Sequence, residues 1–411
     1  MAPPTLLFTL APPRASRHVT DRDLLMVPGP IEFEPAVLEA MGRKTLSHLD
    51  PRFIETFGKV LEDLRQLFGA PGCTPIVLAG SGTLAMELAA ANVIDAGDNV
   101  LVYNTGYFSD RMGRVAERLG ANVDHVRAAI GEAPSLEAFE NALNEKRYKA
   151  VTITHVDTST GVLAPVRKIA SCAKKASALT IVDAVCSAGG EELHQTSWQI
   201  DVALSGSQKA LGAPPGLAIA LFSQTALEAR SAKKNPPASL YLDLHEWMPV
   251  ARAYEARKSS YFSTPPVNLI NAFAASAERI LAEGMSARVA RHRWISHAFR
   301  AAWQALGLAS LSVDPLTTAH TLSALLYPDG IDASLVGAIR EEGVVVAGGL
   351  HPEVKAKYFR IGHMGACSAA DVLTTVGAVE RSLTRMGYSA FERGAGLAAA
   401  NKVLGGALPH S

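Results

Sequence analysis

Lys209 is the residue of this chain whose surroundings best suit amine chemistry. It lies in the segment Ser-Gly-Ser-Gln-Lys-Ala-Leu-Gly-Ala-Pro-Pro-Gly (205–216), so small and apolar residues flank it on both sides. A lone lysine is usually a solvated surface group, but these flanks are a poor setting for an exposed loop tip. An amine held near apolar groups can lose its charge and act as a nucleophile or a base. We therefore predict that Lys209 is a catalytic amine.

Two short apolar segments precede this lysine, and the first of them ends in a carboxylate. Residues 179–182 form a run that stops at Asp183, and residues 201–204 lead into the segment that carries Lys209. One buried strand that ends in an acid, and another that ends in a small-residue turn with one lysine, suit a pyridoxal phosphate site. Lys209 would form the Schiff base, and Asp183 would keep the pyridinium nitrogen protonated.

The elements that must position these groups alternate along the first part of the chain. Strand candidates are 75–78, 99–103, 150–154, 180–182, 202–204 and 217–222. Helical spacing between most of them covers 84–94, 110–119, 136–143 and 166–176. Earlier in the chain, residues 24–27 are a candidate strand, and 35–41 and 53–68 have helical spacing. This alternation predicts βαβ units and a mainly parallel sheet, with ligands bound at the carboxyl ends of the strands.

A second region begins near residue 285 and has the size of a small α+β domain. It contains candidate helices at 288–306, 334–342 and 369–386, and candidate strands at 319–326, 344–347 and 358–362. We predict a flexible N-terminal arm over 1–22, a large cofactor-binding domain over 23–284, a small domain over 285–390 and a flexible tail over 391–411. The tail is assigned from its richness in glycine and alanine.

A glycine-containing turn after the first strand of the alternating region is a candidate anion site. Gly-Ser-Gly-Thr (80–83) opens the predicted helix at 84–94. Free backbone N–H groups at a helix start, without bulky side chains nearby, can hold a phosphate. The alternative is an ordinary N-cap, in which Ser81 or Thr83 supplies the capping hydroxyl.

Aromatic and hydroxyl side chains follow two further strands of the predicted sheet. Phe108 comes soon after the strand at 99–103, where a ring can stack on a pyridine face, although a core phenylalanine or a role for Tyr107 is also open. Thr158 follows the strand at 150–154, and its hydroxyl can bond beside the ring. His155 and Asp157 belong to the same segment and could instead form a local turn network.

Arg360 is the candidate group for a substrate carboxylate. It stands in the apolar segment Phe-Arg-Ile-Gly-His-Met-Gly (359–365) of the second region. A buried guanidinium needs a partner, and a carboxylate matches its planar fork. An α-amino or α-keto acid would supply one, and a structural salt bridge to a protein carboxylate is the competing interpretation.

Composition excludes several classes of protein. The 39 basic and 39 acidic residues give a formal net charge of +0, which argues against nucleic acid or an anionic membrane as partner. The 411 residues, 48% hydrophobic and 19% charged, are typical of a globular enzyme with a large core. The four cysteines lie far apart, so they predict neither a disulfide scaffold nor a zinc site, and we predict no metal.

The chain is predicted to be soluble and intracellular. No apolar run is long enough to span a bilayer. The first twenty residues carry Arg14, Arg17 and His18 and no acid, which fits either a mitochondrial leader or a disordered arm. The last residues are not a Ser-Lys-Leu type of peroxisomal address. Cytoplasm and mitochondrion are the expected compartments, with the peroxisome left open.

Taken together, these segments resemble the class V aminotransferases of pyridoxal phosphate fold type I. Within that family they are similar to alanine–glyoxylate and serine–pyruvate aminotransferases, particularly of the fungal type. The resemblance covers about residues 24–388. It rests on the lysine segment, on Ile-Val-Asp-Ala-Val-Cys (181–186), on Val-Ala-Gly-Gly (346–349) with the segment of Arg360, and on Tyr-Phe-Ser-Thr-Pro-Pro (261–266).

The resemblance implies a role for each candidate residue. Lys209 and Asp183 would be catalytic, and Arg360 would bind the substrate carboxylate under a loop that contains Gly29. The groups around the phosphate and ring would be Ser81, Gly82, Thr83, Phe108, Thr158 and Gln208. Tyr261 and Thr264 would reach the phosphate of a neighbouring subunit, which implies a homodimer with shared active sites.

The expected fold is therefore α/β, with a mainly parallel, seven-stranded type of sheet in the large domain and a smaller α+β C-terminal domain. The expected activity is transfer of the amino group of L-alanine to glyoxylate. Serine–glyoxylate or serine–pyruvate transamination is the alternative, followed by another class V pyridoxal phosphate enzyme such as a cysteine desulfurase. Only Arg360 is evident in the sequence as a carboxylate partner, which favours small monocarboxylic donors. Animal members carry tryptophan, histidine and serine where this chain has Phe108, Thr83 and Thr158.

Overall fold

The computed structural model describes residues 23–406, so the predicted N-terminal arm (1–22) and the last five residues of the predicted tail lie outside that range. Its strands are β1 (Leu24–Leu25), β2 (Thr74–Ala79), β3 (Asn99–Asn104), β4 (Asn122–Arg127), β5 (Ala150–Thr154), β6 (Val156–Asp157), β7 (Val162–Leu163), β8 (Leu179–Asp183), β9 (Val202–Gly206), β10 (Leu217–Phe222), β11 (Leu322–Leu326), β12 (Val344–Val345), β13 (Ala347–Gly348) and β14 (Tyr358–Gly362).

The helices within the same residues lie between and after these strands along the chain. They are α1 (Pro35–Gly42), α2 (Pro51–Leu67), α3 (Gly82–Val93), α4 (Tyr107–Arg118), α5 (Leu136–Glu145), α6 (Val166–Lys175), α7 (Gln224–Ser231), α8 (Leu244–Glu255), α9 (Val267–Glu283), α10 (Met285–Ala305), α11 (Ser334–Glu341), α12 (Ala369–Arg385) and α13 (Ala395–Leu404).

A seven-stranded sheet with the order β2-β10-β9-β8-β5-β3-β4 forms the centre of the large domain. All neighbours are parallel except β10, which runs antiparallel to both β2 and β9. The central strands β5, β8, β9 and β10 are almost entirely buried, as expected for a sheet covered by helices on both faces. The prediction of an α/β fold with a large, mainly parallel sheet is confirmed.

The register of the central strands brings their carboxyl ends level with one another. Thr154 at the end of β5 pairs with Asp183 at the end of β8, and Asp183 in turn pairs with Leu204 in β9. Side chains that follow these strand ends therefore meet at one edge of the sheet. This edge holds the candidate site.

The small domain is built on a three-stranded antiparallel sheet with the order β11-β14-β13. Its helices α10, α11, α12 and α13 enclose a separate apolar core. The first strand of the described chain also belongs here, because β1 pairs with β12 and Met26 is buried in the same core. The predicted large domain begins at residue 23, whereas β1 pairs with a strand of the small domain. This two-residue strand gains its partner from a segment that is distant in the sequence.

Residues 395–404, part of the predicted flexible tail, form helix α13 and pack on α10 and α12. Small residues allow this contact: a Cβ added at Gly396 would lie 3.0 Å from Leu306 Cδ1. Trp294 Nε1 donates a hydrogen bond of 3.2 Å to the carbonyl of Val403. The glycine and alanine content that suggested a loose tail is instead what lets two helices approach closely.

Further elements were not expected from the sequence. Strand β4 lies at the edge of the large sheet and has a mostly polar, partly exposed sequence. Helices α7, α8 and α9 follow β10, which is the last strand of the large sheet along the chain. Helix α9 packs on α1 and α2. Within residues 23–406, no helix combines the length and the apolar content that crossing a membrane would require.

Candidate active site

A cavity of about 140 Å³ lies at the carboxyl ends of the central strands. Most of its walls come from the loops after β2, β5, β8 and β9 and from the first turn of α4. It is lined by Ser81, Gly82, Thr83, Met86, Phe108, Arg111, Val156, Thr158, Asp183, Val185, Cys186, Gln208 and Lys209. The structure thus brings together eight of the predicted site residues, from segments far apart in the chain.

Lys209 reaches into this cavity from the turn after β9. Its Nζ donates a hydrogen bond to the carbonyl of Pro28. Burial lowers the pKa of the amine, Arg360 lowers it further, and Cys186 and Asp183 act in the opposite direction. The net downward shift increases the fraction of the uncharged amine, which is the form that can attack a carbonyl or accept a proton.

Asp183 ends strand β8 and is only 4% exposed. Its Oδ1 accepts a hydrogen bond of 2.9 Å from the backbone N–H of Val185. Burial raises the pKa of this carboxyl to about 7, and Asp157 contributes to the rise, while Arg111 and Lys209 oppose it. A buried acid with a pKa near 7 is only partly ionised at neutral pH. A cationic partner would stabilise its charged form.

The turn that opens α3 forms a cradle of backbone groups. Ser81 is the N-cap of this helix, and its side chain does not cap it, so the capping alternative is not what the structure shows. A Cβ added at Gly206 would lie 2.8 Å from Gln208 Oε1 and 3.2 Å from the backbone nitrogen of Gly82. The absence of a side chain at Gly206 therefore lets these groups converge. Gln208 Oε1 is buried and has no partner among the described residues, so it has a free acceptor.

Phe108 lies in the first turn of α4, and its ring lines the cavity. Its backbone N–H donates to Asp157 Oδ2 at 3.0 Å, and the N–H of Tyr107 donates to Ser159 Oγ at 3.0 Å. These bonds anchor the start of the helix to the loop after β5. The neighbouring Tyr107 does not line the cavity, so Phe108 is the ring that the geometry offers for stacking.

The loop after β5 separates the roles of its polar residues. Thr158 lines the cavity, whereas Asp157 is fully buried and accepts hydrogen bonds from Ser159 and from the start of α4. Burial lowers the pKa of His155 to about 4, and its Nδ1 has no partner among the described residues. Its ring packs against Trp198, away from the cavity lining. Asp157 therefore forms the local network, and Thr158 is the one that reaches the site.

Arg360 approaches from the small domain, in the middle of strand β14. Its Nε donates to the carbonyl of Gly348 at 2.9 Å, and one terminal nitrogen donates to the carbonyl of Thr158 at 3.1 Å. Burial lowers the pKa of this guanidinium. Its hydrogen-bond partners in the described chain are carbonyls rather than a carboxylate, so the alternative of a structural salt bridge is not what the structure shows.

Gly29 lies directly against the side chain of Lys209. Its φ is +95°, and a Cβ added there would lie 2.4 Å from Lys209 Cδ. Glycine is required because both the backbone conformation and the close approach exclude a side chain. The loop with Gly29 thus lies over the amine, and its predicted role in covering the substrate stays a prediction.

Tyr261 and Thr264 are not brought into the cavity of their own chain. Tyr261 is 62% exposed, and its hydroxyl lies 3.4 Å from Thr264 Oγ1. The only ring that it contacts in the described chain is His48, at 5.3 Å between centroids. Their predicted role at the phosphate of a neighbouring subunit stays a prediction.

Five lining residues were missed from the sequence, namely Met86, Arg111, Val156, Val185 and Cys186, and two of them carry titratable groups. Arg111 lies one helical turn after Phe108 on α4, and Cys186 lies three residues after Asp183. The spacing of three residues from a candidate could have indicated Arg111, since residues i and i+3 share a helix face. Neither Arg111 nor Cys186 stands in a local motif that indicates a site. An arginine on an amphipathic helix is usually solvated.

The residues present fit pyridoxal phosphate. The cradle at Gly82 offers N–H groups to a phosphate, and Asp183 is a buried acid that needs a cation such as a pyridinium nitrogen. Phe108 offers a ring face, and Lys209 offers an amine whose pKa burial lowers, in the same cavity. The assignment of each residue to its part of the cofactor stays a prediction.

Known proteins resemble this chain over most of its length. Residues 36–369 match the family model "Aminotransferase class-V". Alanine–glyoxylate aminotransferase 1 of Saccharomyces cerevisiae is 42% identical over 84% of this chain and 93% of its own length. L-aspartate–glyoxylate aminotransferase of Paracoccus denitrificans is 33% identical over 93% of this chain and 96% of its own. The crystal structure of ureidoglycine–glyoxylate aminotransferase from Bacillus subtilis superposes with a TM-score of 0.87, at 29% identity and with 95% and 100% coverage.

Proposed function

The chain belongs to the class V aminotransferases, and we propose that it transfers the amino group of L-alanine to glyoxylate, which gives pyruvate and glycine. Family membership makes the protein an aminotransferase with pyridoxal 5′-phosphate as cofactor. The choice of alanine and glyoxylate is the proposed part. It is supported by the 42% identity to a relative that is named for this activity.

The observation that carries the proposal is that a half-buried amine and a half-buried guanidinium converge from two domains. Lys209 lines the cavity from the large domain, and Arg360 bonds the carbonyl of Thr158, whose residue lines the same cavity. Arg360 is close enough to lower the pKa of Lys209. An α-amino acid carries its amine and its carboxylate on one carbon, so the two groups can engage both ends of it.

When bound, pyridoxal phosphate supplies a ring that accepts electrons from the carbon that loses its proton. Lys209, with its pKa lowered, would be the base that takes the α-proton of the donor and delivers it to the opposite side of the nitrogen that is transferred. Asp183, which is buried, would keep the ring nitrogen of the bound cofactor protonated through its carboxylate. Arg360 orients the carboxylate of alanine and, in the second half of the reaction, that of glyoxylate.

The position of Arg111, the second arginine near the site, is consistent with a small donor. Arg111 was not evident from the sequence, yet it lines the cavity and could have served a side-chain carboxylate. Its guanidinium bonds Thr83 Oγ1 at 2.9 Å and lies over the ring of Phe108, beside the cradle. It influences the pKa of Asp183, whereas the pKa of Lys209 responds to Arg360. Arg360 is thus the arginine that acts electrostatically on the reacting amine.

Half-reaction spectra with single donors test the proposal. The purified holoenzyme is mixed with alanine, serine, aspartate or glutamate, and the loss of the visible absorbance of the lysine-bound cofactor is followed. We expect alanine to give the highest rate per molar donor, and the product form to regain the absorbance with glyoxylate while glycine appears. A preference for aspartate would overturn the donor, and no response to any donor would overturn the activity.

Among the alternatives, serine as donor is addressed by the same spectra. A cysteine desulfurase would need a reactive cysteine, and Cys367 is the candidate in the second region. Burial raises the pKa of this thiol, and Asp371 raises it further. Its thiolate is therefore disfavoured. Sulfide release from cysteine at a rate comparable to transamination would contradict this assignment.

We also propose that two copies of the chain share their active sites. The support is the exposure of Tyr261 together with apolar side chains that are exposed in the same monomer, namely Leu38, Met41, Leu49 and Leu240. Tyr261→Ala is expected to weaken cofactor binding although the residue lies outside its own cavity. Sedimentation velocity of the holoenzyme and a cofactor titration of the variant check this. A monomer with full cofactor affinity would contradict it.

A further inference from the structure

Arg111 is placed beside the cradle at the start of α3 by contacts from three residues. One terminal nitrogen donates to Thr83 Oγ1 at 2.9 Å, and the other donates to the hydroxyl of Tyr107 at 3.4 Å. The guanidinium carbon lies 4.8 Å from the ring centre of Phe108 and 5.1 Å from that of Tyr107. These contacts fix a half-buried cation at the wall of the cavity.

The contacts of Arg111 within residues 23–406 leave its charge without a neutralising partner. Its bonding partners there are two hydroxyls, and the rings beneath it are neutral. It lowers the pKa of Asp183, but no hydrogen bond or ion pair joins these two side chains in the described chain. A partly desolvated guanidinium next to free backbone N–H groups favours the binding of an anion.

We propose that Arg111 supplies the charge that retains the 5′-phosphate of the cofactor and selects the phosphorylated form over free pyridoxal. This inference rests on the proposed function only in its choice of cofactor. Thr83, which Arg111 holds, is the second residue of α3 and follows directly on the Gly82 N–H. Charge from the side chain and backbone N–H groups from the helix start then converge on the same anion.

A competing role would be mechanical. Arg111 could act only by fixing the Phe108 ring or the Thr83 hydroxyl, without attracting the phosphate. Those two roles differ in a measurable way. Ring stacking is shared by pyridoxal phosphate and pyridoxal, whereas attraction to the phosphate concerns the phosphorylated form alone.

Cofactor titrations of the full-length, cofactor-free protein separate the roles. Dissociation constants for pyridoxal phosphate and for pyridoxal are measured by absorbance and by quenching of tryptophan fluorescence. For Arg111→Met we expect about a 10- to 100-fold weaker affinity for pyridoxal phosphate, as for a lost charge-assisted hydrogen bond. The affinity for pyridoxal should change by no more than about threefold, since stacking and lysine chemistry remain.

Three further variants sharpen the comparison. Arg111→Lys keeps the charge and should recover most of the selectivity for the phosphate. Thr83→Val keeps the charge but removes the hydroxyl, so it should cost much less than Arg111→Met. Arg114→Met is the matched control, because Arg114 is exposed one turn further along α4 and does not line the cavity. It should leave both affinities unchanged.

Equal losses for the two cofactor forms in Arg111→Met would overturn the proposal, as would an unchanged affinity or a Thr83→Val variant that reproduces the whole loss. Should Arg111→Met fail to fold, wild-type titrations at rising salt replace it. Screening should then weaken binding of pyridoxal phosphate more than that of pyridoxal, and parallel losses would overturn the proposal. A wild-type protein that binds neither form would instead refute the cofactor and with it the proposed function.

Discussion

The two halves of the candidate site are built in different ways. The cofactor half comes from one domain, where side chains follow the ends of strands that share one buried sheet. The substrate half depends on Arg360, which stands in the middle of a small antiparallel sheet. The geometry of the cofactor half therefore depends on the packing of one domain. The geometry of the substrate half depends on how the two domains pack against each other. Changes in each half should separate cofactor binding from substrate binding.

Buried polar contacts fix the junction of the two domains. Glu191, in the loop after β8, accepts a hydrogen bond of 2.9 Å from His320, which lies just before β11. Arg288 at the start of α10 donates to the carbonyls of Gly189 and Ala210 at 2.7 and 2.8 Å. Since β11 pairs with the strand of Arg360, we expect these contacts to affect the distance between that guanidinium and the lysine.

The largest expected effect lies in the cofactor half. Lys209→Ala should reduce turnover by about 10⁴-fold or more, because it removes both the covalent attachment and the proton-transferring base. The visible absorbance of the attached cofactor should also vanish. Steady-state kinetics and borohydride reduction with peptide mapping check this, with the exposed Lys258→Ala as control. Retained activity, or a label at another lysine, would refute the assignment.

In the cofactor-free protein, Asp183 should make the free energy of unfolding depend on pH. Burial raises the pKa of its carboxyl from 3.8 to about 7. Between those values the unfolded chain has lost this proton and the folded protein has kept it, so stability falls as pH rises. With about 1.4 kcal/mol per pKa unit, the loss approaches about 4 kcal/mol at neutral pH.

Asp183→Asn should remove this slope, because an amide does not titrate. Melting temperatures of the cofactor-free wild type and variant, measured from pH 4 to pH 8, check the difference. The wild type should lose stability relative to the variant across this range, and bound cofactor should reduce the loss by offering a positive ring nitrogen. Parallel curves for the two proteins would contradict the burial argument.

A change in the substrate half should leave the cofactor half intact. Arg360→Ala should raise the KM for alanine by the equivalent of about 2–5 kcal/mol, since the donor carboxylate loses its charged partner. The dissociation constant of pyridoxal phosphate should stay unchanged. Kinetics and a cofactor titration check both statements, with the exposed Lys357→Ala on the same segment as control. An unchanged KM would mean that another group holds the carboxylate.

The smallest expected effect concerns the junction. Burial alone would raise the pKa of Glu191, but hydrogen bonds from His320 outweigh it and the net pKa is lowered. Glu191→Gln should weaken this bond, lower the free energy of unfolding by about 1–3 kcal/mol, and raise the KM for alanine with cofactor affinity kept. The neighbouring, exposed Glu192→Gln is the control. Equal behaviour of the two variants would show that the junction does not position Arg360.

The cofactor half could be predicted well because its signals are local. The buried runs that end at Asp183 and lead toward Lys209 are continuous in sequence, and parallel strands place their carboxyl ends together. The sheet and most helices followed from the same alternation. The edge strand β4 could not be predicted, because its polar sequence becomes a strand only by pairing with β3.

The sequence by itself determined the α/β alternation, the amine, the buried acid and the arginine of the second domain, since each depends on a short stretch of residues. Only the tertiary structure decided that Arg111 faces the cradle, that Glu191 meets His320, and that the glycine- and alanine-rich segment packs as α13. These features depend on surfaces that are distant in the chain. Their free energy comes from desolvation and close packing between elements, and no local pattern records which surfaces meet.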